Sequence, residues 1–405
     1  MKLISMKRSS CLVCGSRDLS SVVDLGTHPN ADTFTHTKIE LHETPLEMVS
    51  CNTCGHCQLL YEVTKESRYT DIEYSYTSSN SSISRNHFEE LALYVKNLIK
   101  TPDKVSKIME PGSNDGYLLN ALGDLFTNAL LVGVDPCSIT SQDIKGKKIN
   151  NNIIRIKEFF ESQNICGHEN SADIIIATNV LNHSDSPNDF IKTCAQIIKP
   201  NGYLIVEVPD VTCLSENLYF ETIYHEHVNY FSPYSLNRLA SNHGFHVVDI
   251  TRTSYMCGSL RAAFRFDAQK SMTDRNNLLI QPWMIRTDFE KKCKNFKKAL
   301  NELIIENIKS ENVVIGLGAS TKANTLLNYC NLSSEKIKYL TDVSINKIGK
   351  YSPKSSIKVQ HPKDIYDLIG NKNIVGIPIT VNISSLLKKE AECYNFNYVS
   401  MPSRL

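Results

Sequence analysis

The chain has little of what would tie it to a polymer or a surface. Its 44 lysines and arginines nearly cancel its 43 aspartates and glutamates, leaving a formal net charge of +1. Nucleic acid and anionic membranes both select clustered positive charge, so neither is an expected partner. No apolar run approaches bilayer length, and the opening MKLISMKRSS lacks the apolar middle of a secretion signal. The expected address is the cytoplasm. Internal repeats and long low-complexity segments are missing too; the nearest is SYTSSNSS, Ser75 to Ser82, a serine-rich turn before a helix.

What is present describes a globular protein. A chain of 405 residues, 41% hydrophobic and 21% charged, is too long for one ordinary core, so two or three domains are expected. Of its 13 cysteines, four fall in two Cys-x-x-Cys pairs, and most others stand singly in apolar surroundings, as Cys194 and Cys213 do. That distribution favours a metal site and reduced core thiols over disulfides.

The two pairs are Cys11 with Cys14 and Cys51 with Cys54. Each can form a turn that aims two thiolates at one cation, and together they complete a tetrahedron suited to zinc. Gly15 and Gly55 follow the pairs, where such turns need left-handed backbone. A redox pairing is the rival reading, and His56 and Cys57 lie near enough to compete as ligands. Four sulfurs leave no open position, so the site is expected to be structural.

From Lys107 to Pro209, short apolar runs alternate with helical patterns. KIMEPGSNDGYLL, LLVGVDP, ADIIIATNVL and GYLIVEVP read as strands of one parallel sheet. Before them, Phe88, Leu91, Val95 and Leu98 keep helical spacing, and Phe289, Cys293, Phe296, Leu300, Leu303 and Ile304 mark a later helix. A second strand, glycine loop and helix opens at NVVIGLGAST, Asn312 to Thr321. The expected architecture is α/β: a zinc-binding unit over residues 1–68, a central α/β unit over 69–270, a connector helix over 271–310, and a second α/β unit over 311–405.

The first glycine loop ends a strand at Glu110 and carries Gly112, Ser113, Asn114 and Gly116; Asp135 and Pro136 end the next strand. Glycines there let backbone approach a ligand, and the acid suits ribose hydroxyls. A dinucleotide and S-adenosylmethionine both fit that outline. The stretch EPGSNDG does not spell the Gly-x-Gly-x-x-Gly of a pyrophosphate site, which favours S-adenosylmethionine. Asn179 and His183 follow the next strand and fall on the same carboxyl edge.

The stretch IYHEHVNYF, Ile223 to Phe231, places five titratable side chains between Tyr224 and Tyr230. A neutral imidazole near its ordinary pKa can accept a proton, and a nearby carboxylate can orient it. His225 and His227 alternating on a strand could instead hold a cation, although no third ligand accompanies them. Ser232 and Pro233 then open a helix as N-cap and first residue.

Taken in order, CLVCGS, CNTCGHCQL, EYSYTSSNS, EPGSNDGYLL, GVDP, NVLNH, IYHEHVNYFS, GSLR and GASTKANTLLNY resemble the nucleotide-sugar C-methyltransferases of deoxysugar biosynthesis along nearly the whole chain. The resemblance implies a monomeric three-domain enzyme, with a class I Rossmann-like methyltransferase domain over 69–270 and a Rossmann-like C-terminal domain over 311–405 that helps bind substrate; it methylates the carbon beside the ketone of a 4-keto-6-deoxy sugar nucleotide, often thymidine diphosphate-linked, with C-3 the expected position. It places the base on His227, with Glu226, Tyr224, His183 and Tyr76 completing the catalytic set. It implies that Ser259, Arg261, Gly318, Ser320, Lys322 and Asn324 bind substrate. Three departures stand out: Met256 and Cys257 replace the family's His-Gly before GSLR, Ala323 replaces a glycine, and VGIPITVN lacks the usual tryptophan. Methyl transfer to oxygen or nitrogen, and non-catalytic binding of a sugar nucleotide, are the rival functions.

Overall fold

The computed structural model describes residues 5–65, 68, 77–79, 81–137, 150, 152–267, 282–370 and 372–404. Tyr76 lies outside them. The central unit is a seven-stranded sheet ordered Phe245–Thr253, Ser259–Phe266, Ile198–Pro209, Ala172–Thr178, Lys107–Pro111, Leu130–Val134, Ile153–Ile156. The strands foreseen from the apolar runs pair in parallel; Ser259–Phe266 runs antiparallel to both of its neighbours. Ile174, Ile175, Ile176, Leu204, Ile205 and Val206 are all fully buried, as strands covered on both faces require. Because the chain order reverses beside Lys107–Pro111, the carboxyl edge there opens into a crevice.

The C-terminal unit is a five-stranded, all-parallel sheet centred on Val313–Leu317. The head is antiparallel, and its sheet departs from the expected boundaries. Leu19–His28, Thr44–Cys51 and Cys57–Leu59 take a fourth strand, Asn229–Tyr230, from the central unit. The histidine cluster therefore feeds directly into the head's sheet.

Phe289–Lys309 forms the later helix. It is more than a tether, because Phe289, Cys293, Phe296, Leu300 and Ile304 belong to one apolar core with Val23 and Met48 of the head, Phe220 and Ile223 of the centre, and Val314 and Leu326 of the C-terminal unit. Among the described residues, no helix is long and apolar enough to cross a membrane.

Candidate active site

The two cysteine turns are near-copies. In the first, Cys11 donates its backbone N–H to Ser16 (2.8 Å) and Gly15 donates to Cys11 (2.9 Å); in the second, Cys51 donates to His56 (2.9 Å) and Gly55 to Cys51 (2.8 Å). Gly15 and Gly55 have φ of 74° and 66°, where a side chain would be strained. Cys11 and Cys54 sulfurs stand 3.6 Å apart, Cys14 and Cys51 3.5 Å, and all four lie within 4.8 Å of one another. Tetrahedral zinc with its usual bonds separates sulfurs by about 3.8 Å, so the set fits. The two competing residues are occupied elsewhere: Cys57 is buried toward the Gly55 carbonyl, and His56 bonds Asn229.

On the sheet's carboxyl edge, Gly112 sits at φ 69°, and a Cβ there would come within 2.9 Å of Val180. Asp135 accepts the backbone N–H of Asn114 and of Cys137, each at 2.8 Å, which pins the glycine loop and leaves lone pairs for hydroxyl donors. Burial holds the Asp135 carboxyl above its ordinary range, and it holds Glu110 well above, with Asp115 and Asp135 adding to the effect. Among the described residues, Glu110 Oε2 is buried without a hydrogen-bond partner. Gly112, Asn114, Asp135, Pro136 and Asn179 line one cavity of about 910 Å³, together with Val180, Phe159 and Phe160. A glycine turn, a ribose-ready acid and an apolar flank fit S-adenosylmethionine. Ser113 and Gly116 are not among the lining residues. Ser113 is buried against Gly133, and Gly116 leaves room for the Arg155 guanidinium, which donates to the Asn114 and Asp115 carbonyls; both shape the loop from behind.

The same cavity reaches His183, Tyr224, Glu226, His227, Met256, Thr321, Lys322 and Asp32. All three parts of the chain meet there. Residues 223–228 form a turn, not the strand that the rival cation reading needs, closed by His227 N–H to the Tyr224 carbonyl (2.9 Å), so His225 and His227 do not share a face by alternation. The turn packs the Tyr224 ring 4.0 Å from that of His227, and His183 meets His227 edge-on at 5.0 Å. His227 Nδ1 lies 3.0 Å from the Thr222 carbonyl, which can only accept, so the ring carries its proton on Nδ1. Nε2 then holds a lone pair and accepts from Tyr224 Oη at 2.6 Å. The orienting contact thus comes from Thr222, where the sequence reading looked to Glu226.

Burial pushes the His227 pKa well down, helped by His183 and Lys322, and pushes His183 to about 3, helped by Arg68. Both rings are neutral bases or acceptors at neutral pH. Burial also raises the Glu226 carboxyl to about 7, with the Asp32 charge the second cause. Ser232 and Pro233 begin the following helix as expected, through a reciprocal cap with Ser235.

Five substrate candidates are not among the residues that line the cavity. Ser259 bonds the Tyr255 carbonyl (3.0 Å), and Arg261 is buried against Glu207 (2.8 Å), which also holds His87. Gly318 donates to Thr341 Oγ1 (3.2 Å), Ser320 caps its helix at Ala323 and meets Thr380, and Asn324 donates to the Ala31 carbonyl (2.7 Å). Each of these contacts holds local structure, while Asn324 Oδ1 is buried with no hydrogen-bond partner among the described residues. Of the six, Lys322 alone lines the cavity, with Nζ on the Met256 carbonyl at 3.0 Å. Asp32, Arg68 and Thr321 carried no sequence signal: each gains its position from contacts distant in the chain, as Thr321 Oγ1 does from Asp32 (3.1 Å).

Three family models match in chain order. A zinc binding domain covers residues 11–69, a methyltransferase domain 83–250, and a C-methyltransferase C-terminal domain 268–375. C-methyltransferase NovU of Streptomyces niveus is 27% identical over 371 residues, 87% of this chain and 86% of that one. The mitochondrial ubiquinone biosynthesis O-methyltransferase of Homo sapiens is 26% identical over 118 residues, 27% of this chain and 30% of its own. The cofactor that the central domain takes is S-adenosylmethionine, and the four clustered cysteines are a zinc site.

Proposed function

This chain belongs to the C-methyltransferase family, and on that premise we propose that it methylates a 4-keto-6-deoxy sugar nucleotide, probed first as the thymidine diphosphate form, at the carbon beside the ketone, C-3. The observation that carries the reading is the unprotonated Nε2 of buried, neutral His227, held by Tyr224 in a cavity continuous with the cofactor edge.

A C–H beside a ketone is a weak acid, so carbon methylation needs a base and a stabilised enolate. Bound S-adenosylmethionine supplies an electrophilic methyl group. His227 Nε2 takes the α-proton, its Nδ1–H remaining on Thr222. As Nε2 fills, the Tyr224 hydroxyl turns from it to the substrate oxygen and donates to the developing charge. His183 is the second group at that oxygen, and Tyr76 is assigned the same task by resemblance. The imidazolium is costly where it is buried, and the enolate beside it offsets that cost. Lys322 and the start of its helix face the cavity from the C-terminal unit and suit a diphosphate. Holding carbon and methyl in line supplies much of the remaining acceleration.

The test is incubation with S-adenosylmethionine and a panel of 4-keto-6-deoxy sugar nucleotides, read by mass spectrometry and by carbon NMR of the product. The reading expects one added methyl on a ring carbon and loss of an α-deuterium label. A product that keeps the label and carries its methyl on oxygen or nitrogen contradicts it.

A further inference from the structure

The short helical turn Leu181–His183, which presents His183 to His227, is gripped from outside by its carbonyls. Arg68 donates to the His183 carbonyl at 2.9 Å. Asn229 Nδ2 donates to the Ser184 carbonyl at 2.6 Å and to that of Leu181 at 3.4 Å. The opposite end of the same amide, Oδ1, can only accept, so it takes the N–H of His56 Nε2 at 3.1 Å. His56 follows directly on the second cysteine turn, where its carbonyl accepts the Cys51 N–H.

Asn229 also stands two residues after His227. Its backbone pairs with Gln58, and Leu59 N–H reaches the Val228 carbonyl at 2.9 Å. One amide, 1% exposed, therefore touches the second zinc-binding turn on one side and the His183 turn on the other, while its own strand continues from the His227 turn. A buried amide that loses its partners costs free energy, so these segments hold one another's positions.

We propose that Asn229, through His56, is a positioning residue that couples the order of the second cysteine turn to the two segments bearing His183 and His227. The zinc head thereby sets the spacing of the proposed base and its neighbour in addition to folding itself. The catalytic meaning of that spacing rests on the proposed function; the coupling does not.

Hydrogen exchange by mass spectrometry on the full-length, zinc-loaded chain separates the two. His56→Ala and Asn229→Ala are each expected to speed exchange about tenfold in 181–186 and 223–230, with Val313–Leu317 unchanged. Zinc should stay at about one per chain. S-adenosylhomocysteine affinity by calorimetry should stay within about threefold, because Asn229 and His56 make no hydrogen bond to the glycine loop among the described residues. The double variant should be no faster than the worse single variant, since both cut one link. His56→Gln should restore protection, its amide N–H standing where Nε2–H stood. If Asn229→Ala gives no folded protein, the His56→Ala and His56→Gln pair carries the test. Unchanged exchange in both segments overturns the proposal, and so does acceleration spread equally to Val313–Leu317, which would mark ordinary destabilisation.

Discussion

His227 takes its usefulness from two neighbours that fix where its proton sits. Thr222 holds Nδ1–H and Tyr224 donates to Nε2; burial, with His183 and Lys322, keeps the ring neutral, while the Thr222 carbonyl acts in the opposite sense. The sign of the shift decides the pH behaviour. A base whose pKa is depressed stays neutral and competent as pH falls past the ordinary histidine value of 6.5. Imidazole NMR should accordingly find His227 unprotonated at pH 6, and a ring that titrates at its ordinary pKa would contradict the site's geometry. Tyr224→Phe removes a donor to the neutral form, so the His227 pKa should rise in that variant while Thr222 still holds the ring. At this scale the sequence was partly readable. Tyr224, His227 and His183 announce themselves by type and spacing, whereas Asp32 and Arg68 are ordinary charged residues until the fold delivers them. Arg261 and Asn324 look like ligand groups by resemblance, yet Glu207 holds Arg261 Nε and the Ala31 carbonyl takes the Asn324 amide N–H.

Elements with strong periodicity were legible, and those made by turns were not. Apolar runs such as ADIIIATNVL had to be buried strands, and the spacing of Phe289, Cys293, Phe296 and Leu300 had to be a helix face. IYHEHVNYF allows the alternation that a cation site would use, but the hydrogen bond from His227 N–H to the Tyr224 carbonyl closes it into a turn, a choice that local pattern does not determine. The glycine loop is sensitive to substitution. Gly112→Ala places a Cβ 2.9 Å from Val180 at a φ of 69°. Strain of that kind costs on the order of 1–3 kcal/mol. Denaturant unfolding should show a loss of that order, and calorimetry should show weaker S-adenosylhomocysteine binding. A variant with parental affinity would mean that the cofactor does not rest on this turn.

The three matched regions do not fold as separate beads. A strand of the central unit completes the head's sheet, Asn324 and Thr321 reach back to Ala31 and Asp32, and one apolar core runs through the helix Phe289–Lys309. Sequence shows segments and their order, but it does not show that Asn229–Tyr230 would leave its own sheet to join another. Removing the zinc with a chelator should therefore lower the thermal midpoint of the whole molecule. A structural four-cysteine site contributes folding free energy directly, and this one is bonded to both other units. Scanning calorimetry should register the shift in the main transition. A small separate transition for the head, with the main one unmoved, would show that the units are independent.

The central claim is that His227 removes the proton beside a sugar ketone. Proton NMR of a 4-keto-6-deoxy sugar nucleotide in deuterium oxide, with enzyme and S-adenosylhomocysteine but no methyl donor, isolates that step. The account predicts that the α-proton signal fades with the parent protein and persists with His227→Ala, which still binds S-adenosylhomocysteine. Fading at the parent rate in the variant would contradict it.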